Sequence, residues 1–247
     1  MKPTKNDARL GALRCAAYLM AGRIAFETRD DAAARRWYTR AIAAPDDPAR
    51  RAVARTSYAM TVLHSTGDGA ARSIVDAAVA DARLGSDLRA RARAYALQAE
   101  VAARSGRYRD AVAALRLAWL DLESAGADGG GFDEGRLRGF EGVCELHVGT
   151  PERAHDQLER CLATLKAPRD QVQRGIIGTD LAIARLRGGG VRSATTLLHD
   201  SVDTTAATGG RVAALRIARA RHELAPWRTE SFVTEFDDHI YDVFLAR

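Results

Sequence analysis

Residues 95–118 read YALQAEVAARSGRYRDAVAALRLA, and the spacing of small and large side chains in this stretch decides the fold. Ala99 stands in one apolar-periodic segment, Ser105-Gly106 breaks that segment, and Ala111, Leu115 and Ala118 follow in a second. Two antiparallel helices joined by a short turn approach closely only where their crossing residues are small. Within the second segment, the small residues at i and i+7 share one face. The bulky Leu115 between them fills the gap to a neighbouring pair. No alternation of period two bounded by hairpin turns competes with this helical reading.

The same register recurs along the chain. Gly22 is followed by Ala34, Tyr38 and Ala41; Ala59 by Ala71, Val75 and Ala78. Gly142 is followed by Ala154, Leu158 and Cys161, and Ala182 by Ala194, Leu198 and Ser201. The units start 37, 40, 43 and 40 residues apart, counted from Ala34 to Ala71, Ala111, Ala154 and Ala194. Between them lie helix-breaking signals: Arg29-Asp30-Asp31, Pro45 to Pro48, Thr66 to Gly69, Gly85-Ser86, Ala125 to Gly131, Gly149-Thr150-Pro151, Pro168, Gly188 to Gly190, Gly209-Gly210 and Pro226. A fixed period of this size marks a repeat architecture. The expected fold is all-α: one solenoid over 1–247, a right-handed superhelix of about five helical hairpins at 8–46, 49–85, 88–124, 133–167 and 170–207. Capping helices follow at 210–246.

Composition agrees with an α class. Of 247 residues 47% are hydrophobic and 28% charged, which excludes disorder as the default, while aromatics are only 6%. The net charge of +5 is spread along every segment, so it reads as solvated helix faces and not as a nucleic-acid stripe. Cys15, Cys144 and Cys161 show no C-x-x-C spacing and lie in apolar stretches, as buried reduced thiols do; the expected location is the cytoplasm. Arg23 interrupts the N-terminal apolar run, no small-residue cleavage site follows, and no stretch reaches the length of a membrane span.

The repeated pattern resembles the tetratricopeptide repeat. Tyr18, Gly22, Ala34, Tyr38 and Ala41 stand at its consensus offsets, as do Tyr95, Ala99, Ala111, Leu115 and Ala118. Ala25, Val62, Ala102, Glu145 and Arg185 replace the usual later aromatic of the first helix, and the usual closing proline is missing, so the repeats are divergent. Over nearly its whole length the chain is also similar to the repeat-bearing C-terminal region of actinobacterial XRE-type transcriptional regulators. The matching features are Tyr38 with Ala41-Ile42, Ser105 to Ala111, Phe132-Asp133-Glu134, Gly149 to Ala154, and Leu224 to Arg228. That resemblance implies a sensory or protein-interaction region, with no direct nucleic-acid or membrane contact of its own. The regulators carry an N-terminal helix-turn-helix, whereas here the first repeat begins almost at Met1. The chain is therefore expected to be either a stand-alone relative or a region parted from its DNA-binding segment.

No catalytic, cofactor or metal motif emerges, and an enzyme is not expected. His64, His147, His155, His199, His222 and His239 form no H-E-x-x-H and no zinc spacing with cysteine. His147, His155, Cys144, Cys161 and Glu159 cluster in sequence around one turn, which is the ordinary product of a mixed-polarity helix turn. Asp237-Asp238-His239 reads as a solvated helix face. Gly129-Gly130-Gly131 and Gly188-Gly189-Gly190 follow no strand and lack a phosphate-loop Lys-Ser/Thr, so they read as connections between helices. Near the end, Arg211–Leu224 and Thr229–Phe244 read as helices. The second carries a stripe of Phe232, Val233, Phe236, Ile240, Val243 and Phe244, suited to capping the solenoid or to forming a homodimer.

The expected binding surface is the concave groove lined by the first helix of each hairpin. Its residues are Leu19, Arg23, Phe26 and Glu27; Thr56, Met60, Leu63 and His64; Arg93, Glu100 and Arg104; Arg136, Phe140, Val143 and His147; and Thr179, Asp180, Ile183 and Arg187. The arginines suit bidentate contact with carboxylates or a peptide C-terminus, and Phe26, Met60 and Phe140 suit apolar subsites. The expected occupant is a peptide, a small signalling molecule or a protein segment. An accessory scaffold for a biosynthetic enzyme is the alternative role.

Overall fold

The computed structural model describes residues 5–44, 47–126 and 131–244. Pro45, Gly129, Gly130 and the outer ends of the ranges 8–46 and 210–246 lie outside them. Among the described residues there are twelve α-helices and no strand: α1 (Lys5–Glu27), α2 (Asp31–Ala43), α3 (Pro48–Ser65), α4 (Asp68–Leu84), α5 (Leu88–Arg104), α6 (Tyr108–Ala125), α7 (Glu134–Val148), α8 (Pro151–Thr164), α9 (Gln171–Arg187), α10 (Val191–Thr208), α11 (Arg211–Glu223) and α12 (Ser231–Phe244). No described helix is long and apolar enough to cross a membrane.

Local chemistry sets the helix starts. The side chains of Asp30, Asp47, Asp87 and Thr150 each accept a hydrogen bond from a backbone N–H in the first turn of α2, α3, α5 and α8. Pro48 and Pro151 open α3 and α8, where a missing N–H costs nothing. Three hairpin turns are closed by one pattern. The N–H groups of Asp30, Arg107 and Gly190 donate to Ala25, Ala102 and Arg185, each at 2.9 Å, and the residue before each donor has positive φ. This is the Schellman closure. Gly106 and Gly189 supply the left-handed residue in two of the turns; in the first it is Arg29, at φ 64°.

The small-residue register is the packing register. Ala34, Ala41, Ala59, Ala71, Ala78, Ala99, Ala118, Ala154, Ala182 and Ala194 have no exposed surface. A Cβ on Gly22 would stand 3.0 Å from the ring of Tyr38, and one on Gly142 only 2.5 Å from Leu158 Cγ. At both crossings the bulky residue of the second helix occupies the space that a side chain on the first would need. Partner helices α1–α2, α3–α4, α5–α6 and α9–α10 pack as neighbours.

The chain divides into two compact units, Met1–Phe140 and Glu141–Arg247. In the first, α1 packs on α3 and α3 on α5, so the first helices of successive pairs lie side by side. Two buried carboxylates clamp pairs of helices there. Asp81 of α4 meets Arg51 and Arg55 of α3 at 2.9 and 3.1 Å, and Asp121 of α6 accepts Arg91 Nε of α5 at 2.8 Å. In the second unit, Val143, Leu146, Leu158, Leu181, Leu198, Ile217 and Phe236 belong to one core. Here α11 packs on α9 and α12 on α10. The apolar stripe of α12 is spent on that core: Val233 and Phe236 are buried, and Phe232, Ile240 and Val243 pack against the same cluster. The helix starts at Ser231, two residues later than the sequence reading, because Ala225–Trp227 forms a short 3-10 turn.

Candidate ligand-binding site

Arginine chemistry separates the candidate residues. A guanidinium is always charged at neutral pH and must be hydrated or paired. Arg23 of α1, nearly half exposed, meets Glu27 at 2.6 Å one turn on. Arg104 of α5 donates from Nε and Nη2 to Glu100, whose side chain is 2% exposed. Arg136 at the start of α7 donates to Asp133 at 2.8 Å and to the Gly131 carbonyl at 3.1 Å. In the second unit, Arg187 of α9 makes a two-pronged contact with Glu223 and reaches the Leu146 carbonyl.

Arg93 of α5 differs from all of these. Among the described residues no carboxylate lies within ion-pair distance of it, and its one hydrogen bond is a long one, 3.5 Å from Nη2 to Ser57 Oγ of α3. Its guanidinium is pushed below its ordinary pKa, first by burial and then by the charges of Arg23 and Arg136; the Tyr38 phenol acts the other way. Tyr38 itself is 2% exposed, stacks on Tyr58 with ring centroids 5.7 Å apart, and is hydrogen-bonded to Thr61. Burial raises the Tyr38 pKa, so the phenol stays neutral. Arg93 is thus a partly buried cation with no carboxylate partner among the described residues; it touches Ser57 of α3 and feels the charges of Arg23 of α1 and Arg136 of α7.

Apolar candidates divide into core and surface. Phe26, Leu63 and Val143 are buried, and Thr56 is buried with its hydroxyl donating to Ala52 O. Met60 and Phe140 are only partly buried and pack against one cluster with Leu63, Leu97 and Val101. Leu19 is partly buried beside Cys15 and Ala41, and His64 is partly buried at the end of α3. In the second unit Thr179, Asp180 and Ile183 are buried on the α9 side that carries α11. Asp180 pairs with Arg216 of α11, and His147 lies 3.4 Å from Arg219 of the same helix. Burial raises the pKa of Glu223, but the hydrogen bond from Arg187 and the charges of Arg187 and Arg219 outweigh it, leaving the carboxyl below its usual range. These residues form an internal polar network. In the first unit the structure therefore leaves two groups of candidates: Arg93 with Arg23 and Arg136 acting on its charge, and Met60 with Phe140 on one apolar cluster. It adds Ser57 and Tyr58, and Tyr38, which the repeat register assigns to the core.

No described group of three His, Cys, Asp or Glu side chains is placed to hold a metal ion. His147 meets Arg219, His155 accepts from Arg185 Nε at 3.2 Å, and Cys144 and Cys161 are buried free thiols. A cleft of about 440 Å³ in the second unit is lined by Glu152, His155, Arg185 and Ser193, and Arg185 there is engaged by His155 and Glu159. No family model matches the chain, and no curated protein matches it.

Proposed function

We propose that the chain is a helical-repeat interaction domain that binds a peptide, protein segment or small signalling ligand on the α1–α3–α5 face of its first unit. In this reading that face is the concave groove of a tetratricopeptide-like solenoid. The observation that carries it is that the first unit holds both partly buried apolar Met60 and Phe140 on one cluster and a partly buried arginine, Arg93, with no carboxylate partner among the described residues. Binding sites combine apolar walls with a few placed polar groups in this way. The regulator-like motifs, from Ser105–Ala111 to Leu224–Arg228, support a role as the sensory region of a transcriptional regulator. Three buried free cysteines fit the reducing cytoplasm.

Native mass spectrometry of the chain purified from its own host tests this reading. The expected result is a co-purifying peptide, small molecule or partner that is released when Met60 and Phe140 are both changed to alanine. A bound species that survives this double change would contradict the assignment to this face.

A further inference from the structure

Counting charge around Arg93 narrows the chemistry of the ligand. Arg23 is neutralised by Glu27, and Arg136 by Asp133. Arg93 leaves one positive charge, partly buried and held by a single long contact to a hydroxyl. A lone cation in such a place loses part of its water with no anion to replace it, which costs the free protein stability. Residues kept at that cost are characteristic of sites whose partner arrives from outside. Resting on the reading of this face as a binding site, we infer that it takes a ligand bearing a singly charged carboxylate, seated on the Arg93 guanidinium between Arg23 and Arg136.

The match is one of charge and of shape. One carboxylate cancels one guanidinium, whereas a phosphate dianion would leave an excess negative charge beside Glu27 and Asp133. The planar fork of arginine offers parallel N–H groups to a carboxylate, and the Ser57 contact engages only Nη2. Met60 and Phe140 then give the ligand's uncharged part an apolar surface. The carboxylate comes either from a chain terminus or from an acidic side chain, and the test separates the two.

The arginine Nε–H resonances of the whole, ¹⁵N-labelled chain report on this directly, with the Arg93 signal identified by its loss in Arg93→Met. The probes are sodium acetate, N-acetyl tetra-alanine with a free C-terminal acid, its C-terminal amide, and an amidated N-acetyl peptide with one aspartate. Sodium phosphate and sodium chloride at matched ionic strength complete the set. The expected result is a saturable shift of the Arg93 signal with acetate and with at least one peptide acid, and none with the fully neutral amide. The peptide that shifts it identifies a terminal or a side-chain carboxylate. Arg93→Lys keeps the charge, loses the fork, and is expected to weaken the peptide acid about tenfold. Arg93→Met is expected to raise Tm of the free chain by about 2–4 °C. A stronger response to phosphate, an equal one to chloride, or none to any carboxylate overturns the inference. Should a neutral species co-purify and depend on Met60 and Phe140, the binding face stands and the carboxylate falls.

Discussion

Arg29 occupies the left-handed position that Gly106 and Gly189 fill in the other two turns of the same closure. A side chain with φ near +60° costs roughly 1–2 kcal/mol, while glycine raises the entropy of the unfolded chain by somewhat less. Arg29→Gly is therefore expected to stabilise the protein by about 0.5–1 kcal/mol, read as a higher denaturant midpoint at unchanged slope. A lower midpoint would show that Arg29 is held there by something other than the turn. Gly142 gives the opposite case, since a Cβ would stand 2.5 Å from Leu158 Cγ. Gly142→Ala is expected to cost about 1–3 kcal/mol by overpacking, and Gly142→Ala combined with Leu158→Val to recover part of it. At this scale the sequence is highly legible. Glycine and alanine at the crossing points mark close approach because no other residue leaves the space.

Between elements, legibility falls with sequence separation. The small-residue register spans one turn and two helices, so its spacing shows on the page. The Arg91–Asp121 and Arg51–Asp81 clamps join residues thirty apart on differently facing helices, and nothing local distinguishes them from exposed charges. Breaking a buried pair strands a charge, so Asp121→Asn is expected to cost about 2–4 kcal/mol in equilibrium unfolding, far more than the exposed Asp110→Asn. A second clamp holds α12 to α10. His199 Nδ1 and His239 Nδ1 are 2.6 Å apart, with the rings stacked, and His239 Nε2 reaches Asp203 at 2.9 Å. Burial, then the charge of His239, lowers the His199 pKa, against the opposing pull of Asp203, Glu235 and Asp200. The folded state thus favours neutral His199. Its contribution is fully present above the ordinary histidine pKa of about 6.5 and is lost as pH falls through the lowered value. Hydrogen-exchange protection of α12 is expected to drop between about pH 7.5 and pH 5.5, and to drop less in His199→Phe. Protection that is equal at both pH values would leave the histidine pair without a role in holding the helix.

Across the whole molecule, the candidate face is delimited by partners that no spacing reveals. The five arginines assigned to the groove look alike in sequence. Only the fold shows that Arg23, Arg104, Arg136 and Arg187 each find a carboxylate while Arg93 does not. Likewise, Asp180 and Ile183 sit in groove register, but α11 packs against α9 and draws Asp180 into an ion pair with Arg216. The candidate surface is thereby concentrated on the first unit. Its most direct test is photo-cross-linking in the native host, with benzoylphenylalanine placed at Met60 or, for comparison, at Leu117, which is exposed on α6. The account predicts a discrete adduct from position 60 that weakens in Arg93→Met, and none of that mass from position 117. Identical adducts from both positions, or none from position 60, would contradict it; an adduct at 60 indifferent to Arg93 would remove the carboxylate seat alone.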